Sequence, residues 1–154
     1  MGYTHYWERP NGHEDRDAFR RLGTDTKRII AKAVEFGIAV GDAFGEGEPE
    51  FTETHFAFNG AGDQSHETFS WASKAVKPDW SSNPDDTAFN FTKTAYKPYD
   101  AVVTAVLIRA KAIYGDAVEV FSDGSWDDWE SGRNLYAIVF GETPSSPFAA
   151  EPAQ

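Results

Sequence analysis

The sequence predicts an α+β fold, a two-layer sandwich in which a mostly antiparallel sheet packs against about three helices. Three observations lead there. Apolar residues recur at helical spacing in three separate stretches, short segments between them alternate apolar and polar side chains, and Gly, Pro, Asn and Asp punctuate the boundaries. The implied element order is β-α-β-β-β-β-α-β-α.

The stretch GYTHYWER (residues 2–9) reads as a strand, stopped by Pro10-Asn11-Gly12. Residues 13–37 place Phe19, Leu22, Thr26, Ile29, Ile30, Ala33 and Phe36 at helical spacing, with acids in the first turn and Gly37 as the stop. Gly23 weakens the middle of this helix, and a restart at Thr24-Asp25 stays open. IAVGDAFG is a Gly-rich strand. THFAFNG and HETFSWAS alternate on either side of AGDQS and predict a hairpin. KAVKPDWSSNPDD is a loop of a length often tied to function.

TAFNFTKTAY is the next strand. Pro98 then suits the first position of a helix whose stripe is Tyr99, Val102, Val103, Val106, Leu107, Ala110 and Ile113, closed by Gly115. AVEVFSD is a β-branched strand, and a third helix runs from about Ser125 to Phe140, ended by Gly141. Residues 142–154, rich in Pro, Ser and Ala, read as a disordered tail, leaving a single domain over 1–141. Strand 88–95, the helix after it and strand 117–123 should form a right-handed crossover with parallel strands.

A chain of 154 residues buries enough surface to fold without a staple. It has no cysteine, which excludes disulfides and thiolate metal sites. No apolar run of bilayer length and no basic-then-apolar leader occurs, so the expected location is the cytoplasm. Fourteen basic against twenty-five acidic residues give a formal net charge of −11, which disfavours direct binding to nucleic acid.

Strand alternation organises the polar residues. Tyr3, His5 and Trp7 share one face, and Phe89, Phe91 and Lys93 share another, with both phenylalanines expected in the core. Parallel crossover strands would bring Lys93 and Thr94 to the same end as Ser122 and Asp123. Two helix N-termini would open there, near Lys97, and a phosphate or carboxylate would be well received. The rings of Tyr3, His5 and Trp7 would offer a stacking surface. Lys93 should then matter more to a ligand than Lys74 or Lys77 in the long loop. His5, His13, His55 and His66 show no metal-ligand spacing, and no nucleophile elbow, phosphate loop or dinucleotide turn occurs. No metal or cofactor is expected.

The set MGYTHYW, FNG, KTAYKPYD and SDG, followed by a Trp and an Arg-x-Leu-Tyr helix, resembles a family of uncharacterised bacteriophage and bacterial proteins over nearly the whole chain up to Gly141. That family carries no established activity, so the resemblance implies a phage or prophage context and, if the chain is phage-encoded, the host cytoplasm. The residues matching its motifs are Gly2 to Trp7, Asn59, Lys93, Thr94, Lys97 to Asp100 and Asp123. Thr92 stands where similar proteins have Cys, which removes a catalytic thiol.

The functional expectation is a small-molecule binding protein for a phosphorylated, nucleotide-like ligand, such as a host immune signal that it would sequester. Its site would comprise Tyr3, His5, Trp7, Asn59, Lys93, Thr94, Lys97 and Asp123. Two alternatives stay open: a phosphoester-acting enzyme using His5 or His66, and an acidic inhibitor of a host nucleic-acid-binding protein. Homo-oligomerisation also stays open.

Overall fold

The opening strand, β1 (Thr4–Arg9), lies in the middle of a three-stranded sheet, as seen in the computed structural model, which describes residues 3–83 and 86–148. Its neighbours are β6 (Ala88–Lys93) and β7 (Glu119–Ser122), each antiparallel to it. Strands β6 and β7 therefore run parallel to one another on either side of β1. Helix α2 (Asp100–Tyr114) links them, giving the expected crossover with one strand in between. A second sheet is built on β4 (His55–Gly60), which pairs antiparallel with β2 (Val40–Gly41), β3 (Glu50–Phe51) and β5 (Phe69–Ala72). The β4–β5 pair is the predicted hairpin. With the α-helices, these sheets make an α+β fold.

Helix α1 (Arg16–Glu35) starts where Asp15 accepts a hydrogen bond from Ala18 N at 3.0 Å. It runs through Gly23 without a break, so the weak point there is not a restart. Leu22, Thr26 and Ile29 are buried on both sides of the glycine, and that packing outweighs a propensity cost of about 1 kcal/mol. Helix α2 is buried almost all round, from Ala101 to Ile108 and at Ala110, a broader apolar surface than the single stripe expected. It packs against both α1 and α3 (Glu130–Phe140). Helix α3 begins five residues later than Ser125, after a short 3₁₀ turn at Asp127–Trp129. Gly132 is what lets α3 come close to α2: a Cβ there would collide with Thr104 and stand 3.1 Å from Ala105 N. Arg109 ties the three helices, with Nε 2.7 Å from Asp25 Oδ2 and Nη1 donating to the Tyr136 hydroxyl at 3.0 Å.

The core is strongly aromatic. Trp7 meets Phe69 at 4.9 Å and Trp71 at 6.1 Å between ring centres, and Phe58 meets Phe69 at 5.2 Å. Arg9 lies inside this core, its guanidinium 5.0 Å from the Trp71 ring centre and 5.1 Å from that of Tyr114. It donates to the carbonyls of Ala72 and Ser73 at 2.6 and 3.1 Å, and burial pulls its basicity below the usual arginine value.

Two expectations are corrected. Phe89, Phe91 and Lys93 do share a face of β6, but it is the outer one, with the phenylalanines 42 and 50 % exposed. The inner positions are set by register. Thr92 faces His5 and Ala88 faces Arg9, so small side chains stand beside large buried ones. The second correction concerns the tail. Phe148 forms a parallel bridge with Val120 at the edge of β7 and is half-buried, its ring 4.9 Å from that of Trp129. Glu142 accepts from the Tyr136 hydroxyl at 3.1 Å. One aromatic side chain is enough to anchor a Pro/Ser segment. The remainder of the expected tail, residues 149–154, lies outside the described residues, as does Gly2.

Phe148→Ala should therefore lower stability by about 1 kcal/mol, a part of the roughly 1.5–3 kcal/mol that full burial of such a side chain is worth. Thermal melting should register a drop of several degrees. An unchanged melting temperature would mean that the segment does not hold the edge of β7.

Candidate functional site

The end of the first sheet gathers several of the residues singled out from sequence. His5 is fully buried, with Nδ1 2.7 Å from Ser122 Oγ and Nε2 2.6 Å from Asp100 Oδ1. Thr94, also fully buried, donates its hydroxyl to the same Asp100 oxygen at 2.6 Å. With Nε2 carrying the proton, Nδ1 accepts from the Ser122 hydroxyl. Ser122 Oγ in turn accepts from Gly124 N at 3.0 Å and Trp129 Nε1 at 3.2 Å. The order hydroxyl–imidazole–carboxylate is that of a nucleophile relay. Here, however, the ring has no exposed surface and the hydroxyl already holds two donors. The network joins β1, the start of α2 and the end of β7 as a closed polar clasp.

Around the clasp, Tyr3 packs its ring edge-on to His5 at 4.8 Å and stacks on Tyr96 at 3.9 Å. Its buried hydroxyl has no hydrogen-bond partner among the described residues, and burial, reinforced by the Asp100 carboxylate, pushes its pKa well above the usual tyrosine value. Ala95 and Tyr96 both have positive φ, +52° and +60°, in a turn closed by Lys97 N to Thr94 O at 2.9 Å. Each costs about 1–2 kcal/mol in that conformation. Stacking on Tyr3 offsets part of that cost.

The backbone donors expected to greet an anion here are already occupied. Asp123 takes Thr4 N at 3.0 Å and the Tyr6 hydroxyl at 3.1 Å, and Glu67 Oε1 takes Lys93 N at 2.9 Å. The first amides of α2 bond to Lys97, Pro98 and Tyr99 carbonyls, while Asp128 accepts from Ser125 N ahead of α3. The protein supplies its own anions at this end. Lys93 extends outward, and Lys97 Nζ donates to the Asp63 carbonyl at 3.3 Å. Trp7 belongs to the aromatic core, further along β1. Asn59 pins a loop, its Oδ1 accepting from Gly60 N and His66 N while Nδ2 donates to the His66 carbonyl. The His66 residue itself is exposed.

A second region went unnoticed in the sequence. Between α1 and the β3–β4–β5 sheet lies a groove of about 1110 Å³. Arg16, Phe19, Arg20, Gly23, Thr24 and Lys27 of α1 line one wall, Phe51 and Phe56 contribute apolar surface, and Lys74 stands on the opposite side. Those α1 positions follow a spacing of three and four, so they form one helical face beside the buried stripe. The groove holds four cations, Arg16, Arg20, Lys27 and Lys74, against two carboxylates, Glu14 and Glu53. The whole chain carries −11, so this is a local reversal of sign. Phe51 and Phe56 stack at 5.4 Å, and Lys27 Nζ lies 4.9 Å from the Phe51 ring centre. His55, in the same groove, has Nε2 3.2 Å from Glu50 Oε2. Arg16 and Arg20 make only long, solvent-exposed contacts to acids, at 3.9 and 3.5 Å, which leaves their charge available.

Among the described residues no cluster of three His, Cys, Asp or Glu side chains could hold a metal ion, and no helix is long and apolar enough to cross a membrane. Compared with protein-family models, curated proteins and solved structures, the chain finds no match.

Proposed function

We propose that the protein binds a small phosphorylated ligand, and that it does so in the groove between α1 and the β3–β4–β5 sheet rather than at the clasp. The observation that carries this reading is the reversal of charge, four cations over an aromatic floor in a strongly acidic chain. Cations of that kind make charge-assisted hydrogen bonds to phosphate oxygens, and the half-buried Phe51 ring, with Phe56 behind it, offers a flat group an edge to stack on. Gly23 supports it. A glycine inside a helix costs about 1 kcal/mol relative to alanine, yet a Cβ at Gly23 would meet nothing within 4 Å. Packing within the protein gives no reason for the glycine, whereas a ligand lying against α1 does.

Calorimetric titration with nucleoside mono-, di- and triphosphates, a cyclic dinucleotide and inorganic phosphate tests the proposal. Arg20→Ala, Lys27→Ala and Lys74→Ala should each weaken a bound phosphate about ten- to a hundredfold, while Lys93→Ala and Lys97→Ala leave affinity unchanged. Gly23→Ala should raise stability by about 0.5–1 kcal/mol and weaken binding. Loss of affinity confined to the Lys93 and Lys97 variants would move the ligand to the clasp. No binding by any of the panel would remove the reading altogether. The phage-type resemblance casts such binding as sequestration of a host signal. A sequestering protein returns its ligand intact on denaturation, whereas a phosphoester enzyme returns product.

A further inference from the structure

The helices cover one face of the β6–β1–β7 sheet and leave the other open. On that open face the register places Phe91, Tyr6 and Phe121 side by side across the three strands. Phe89, Glu8 and Glu119 form the next row. Phe89, Phe91 and Phe121 are 42, 50 and 40 % exposed, an unusual amount of aromatic surface for a sheet face on which none of the described residues packs. Tyr6 meets Phe89 at 5.9 Å and Phe89 meets Phe91 at 6.2 Å, so the rings form one platform.

The charges on this face say what would cover it. Glu8 and Glu119 stand directly opposite one another on neighbouring strands, and among the described residues neither has an ion pair or hydrogen bond through its carboxylate. Like charges in that relation destabilise a sheet, so within this chain the arrangement is a cost without a return. Asp123 adds a third carboxylate at the far end of β7, and Lys93 is the single cation on the platform. A second copy of the chain docked face to face, with β1 over β1, would bring two Glu8 side chains together and add to the repulsion. An arginine- or lysine-bearing segment would instead pair with the carboxylates and stack on the rings.

We infer that the open aromatic face of the β6–β1–β7 sheet docks a cationic protein segment, with Glu8 and Glu119 taking its charge and Phe91, Tyr6 and Phe121 its apolar surface. This interface is separate from the groove and stands whether or not the groove binds phosphate.

Deca-arginine and deca-lysine are the probes, titrated by calorimetry into the full chain at moderate salt. Arginine stacks on aromatic faces better than lysine, so deca-arginine should bind several-fold more tightly than deca-lysine. Phe91→Ser and Phe121→Ser should abolish that preference. Glu119→Gln should weaken deca-arginine about fivefold or more, whereas Glu35→Gln and Glu48→Gln, which change the net charge equally, should leave it nearly unchanged. Circular dichroism of each variant separates lost binding from lost folding, since these side chains are exposed and all should stay folded. Equal affinity for the two peptides, or an equal response to all three glutamate changes, would reduce the interaction to bulk charge and overturn the inference. Concentration-dependent dimerisation in sedimentation, abolished by Phe91→Ser, would assign the face to a second copy and overturn it equally.

Discussion

Trp71→Ala is expected to lower the free energy of unfolding by about 3–5 kcal/mol, the range for removing a large buried ring from a packed core. Trp71 is 1 % exposed and sits where the two sheets meet, its ring 6.1 Å from Trp7. Its indole N–H donates to the Tyr114 hydroxyl at 3.2 Å, and its face covers the Arg9 guanidinium. The loss is therefore threefold: packing, a buried hydrogen bond, and the shield over a buried cation that no carboxylate neutralises among the described residues. Trp71→Phe should cost distinctly less, because it keeps a ring over Arg9 and gives up mainly the hydrogen bond. Urea unfolding of both variants measures this. A loss below 1 kcal/mol for the alanine variant would show that the aromatic core can close over the gap.

His5→Ala should cost about 2–5 kcal/mol, by a different route. Among the described residues the imidazole alone connects the Ser122 hydroxyl with the Asp100 carboxylate; without it Asp100 keeps Thr94 and Ser122 keeps its two donors, but each loses one hydrogen bond, worth about 0.5–1.5 kcal/mol. A cavity between Tyr3 and Trp129, whose rings lie 4.8 and 5.0 Å from the His5 ring, adds to it. Ser122→Ala removes a smaller part of the same network and should cost about 1 kcal/mol. If the two changes proved equally mild, the clasp would not be what fastens the ends of β1 and β7 to α2. A fluorophosphonate that labelled Ser122 would show in addition that the relay opens in solution.

Most of the fold could be read from the chain because its signals are local. The hairpin at β4–β5, the crossover through α2 and the stops at Gly115 and Gly141 each follow from periodicity and turn chemistry. What failed depended on tertiary context. Alternation shows that Phe89, Phe91 and Lys93 share a face, but nothing in β6 says whether helices cover that face or its opposite. Gly23 left a restart open because propensity is a local quantity, while the packing of Leu22 and Ile29 is not. Phe148 was overlooked for a related reason: a single aromatic residue in a Pro/Ser segment gives no periodicity to detect.

The site divides in the same way. Tyr3, His5, Thr94 and Asp123 do converge, as strand faces and the crossover required, and Asp100 and Ser122 join them. Their mutual satisfaction could not be foreseen, since it depends on sub-ångström register across three elements. The groove left a legible trace that the apolar stripe of α1 obscured. Arg16, Arg20 and Lys27 recur at helical spacing with Gly23 and Thr24, a second periodicity on the same helix. Reading helices for their polar faces as well as their apolar ones would have exposed it.

The central position of β1 also bears on how the chain is made. The ribosome releases this strand before the other six strands of the described residues, yet its partners arrive with β6 and then β7. Thr4 waits for Asp123, 119 residues later in the chain. At roughly 5–20 residues per second, translation leaves β1 without its second neighbour for about 6–24 s. During that interval Trp7 and Tyr3 are side chains with nowhere to go, and the contacts that will bury them are among the most distant in sequence. Synthesis and assembly run in opposite order here: the earliest of these strands is the last to be fixed.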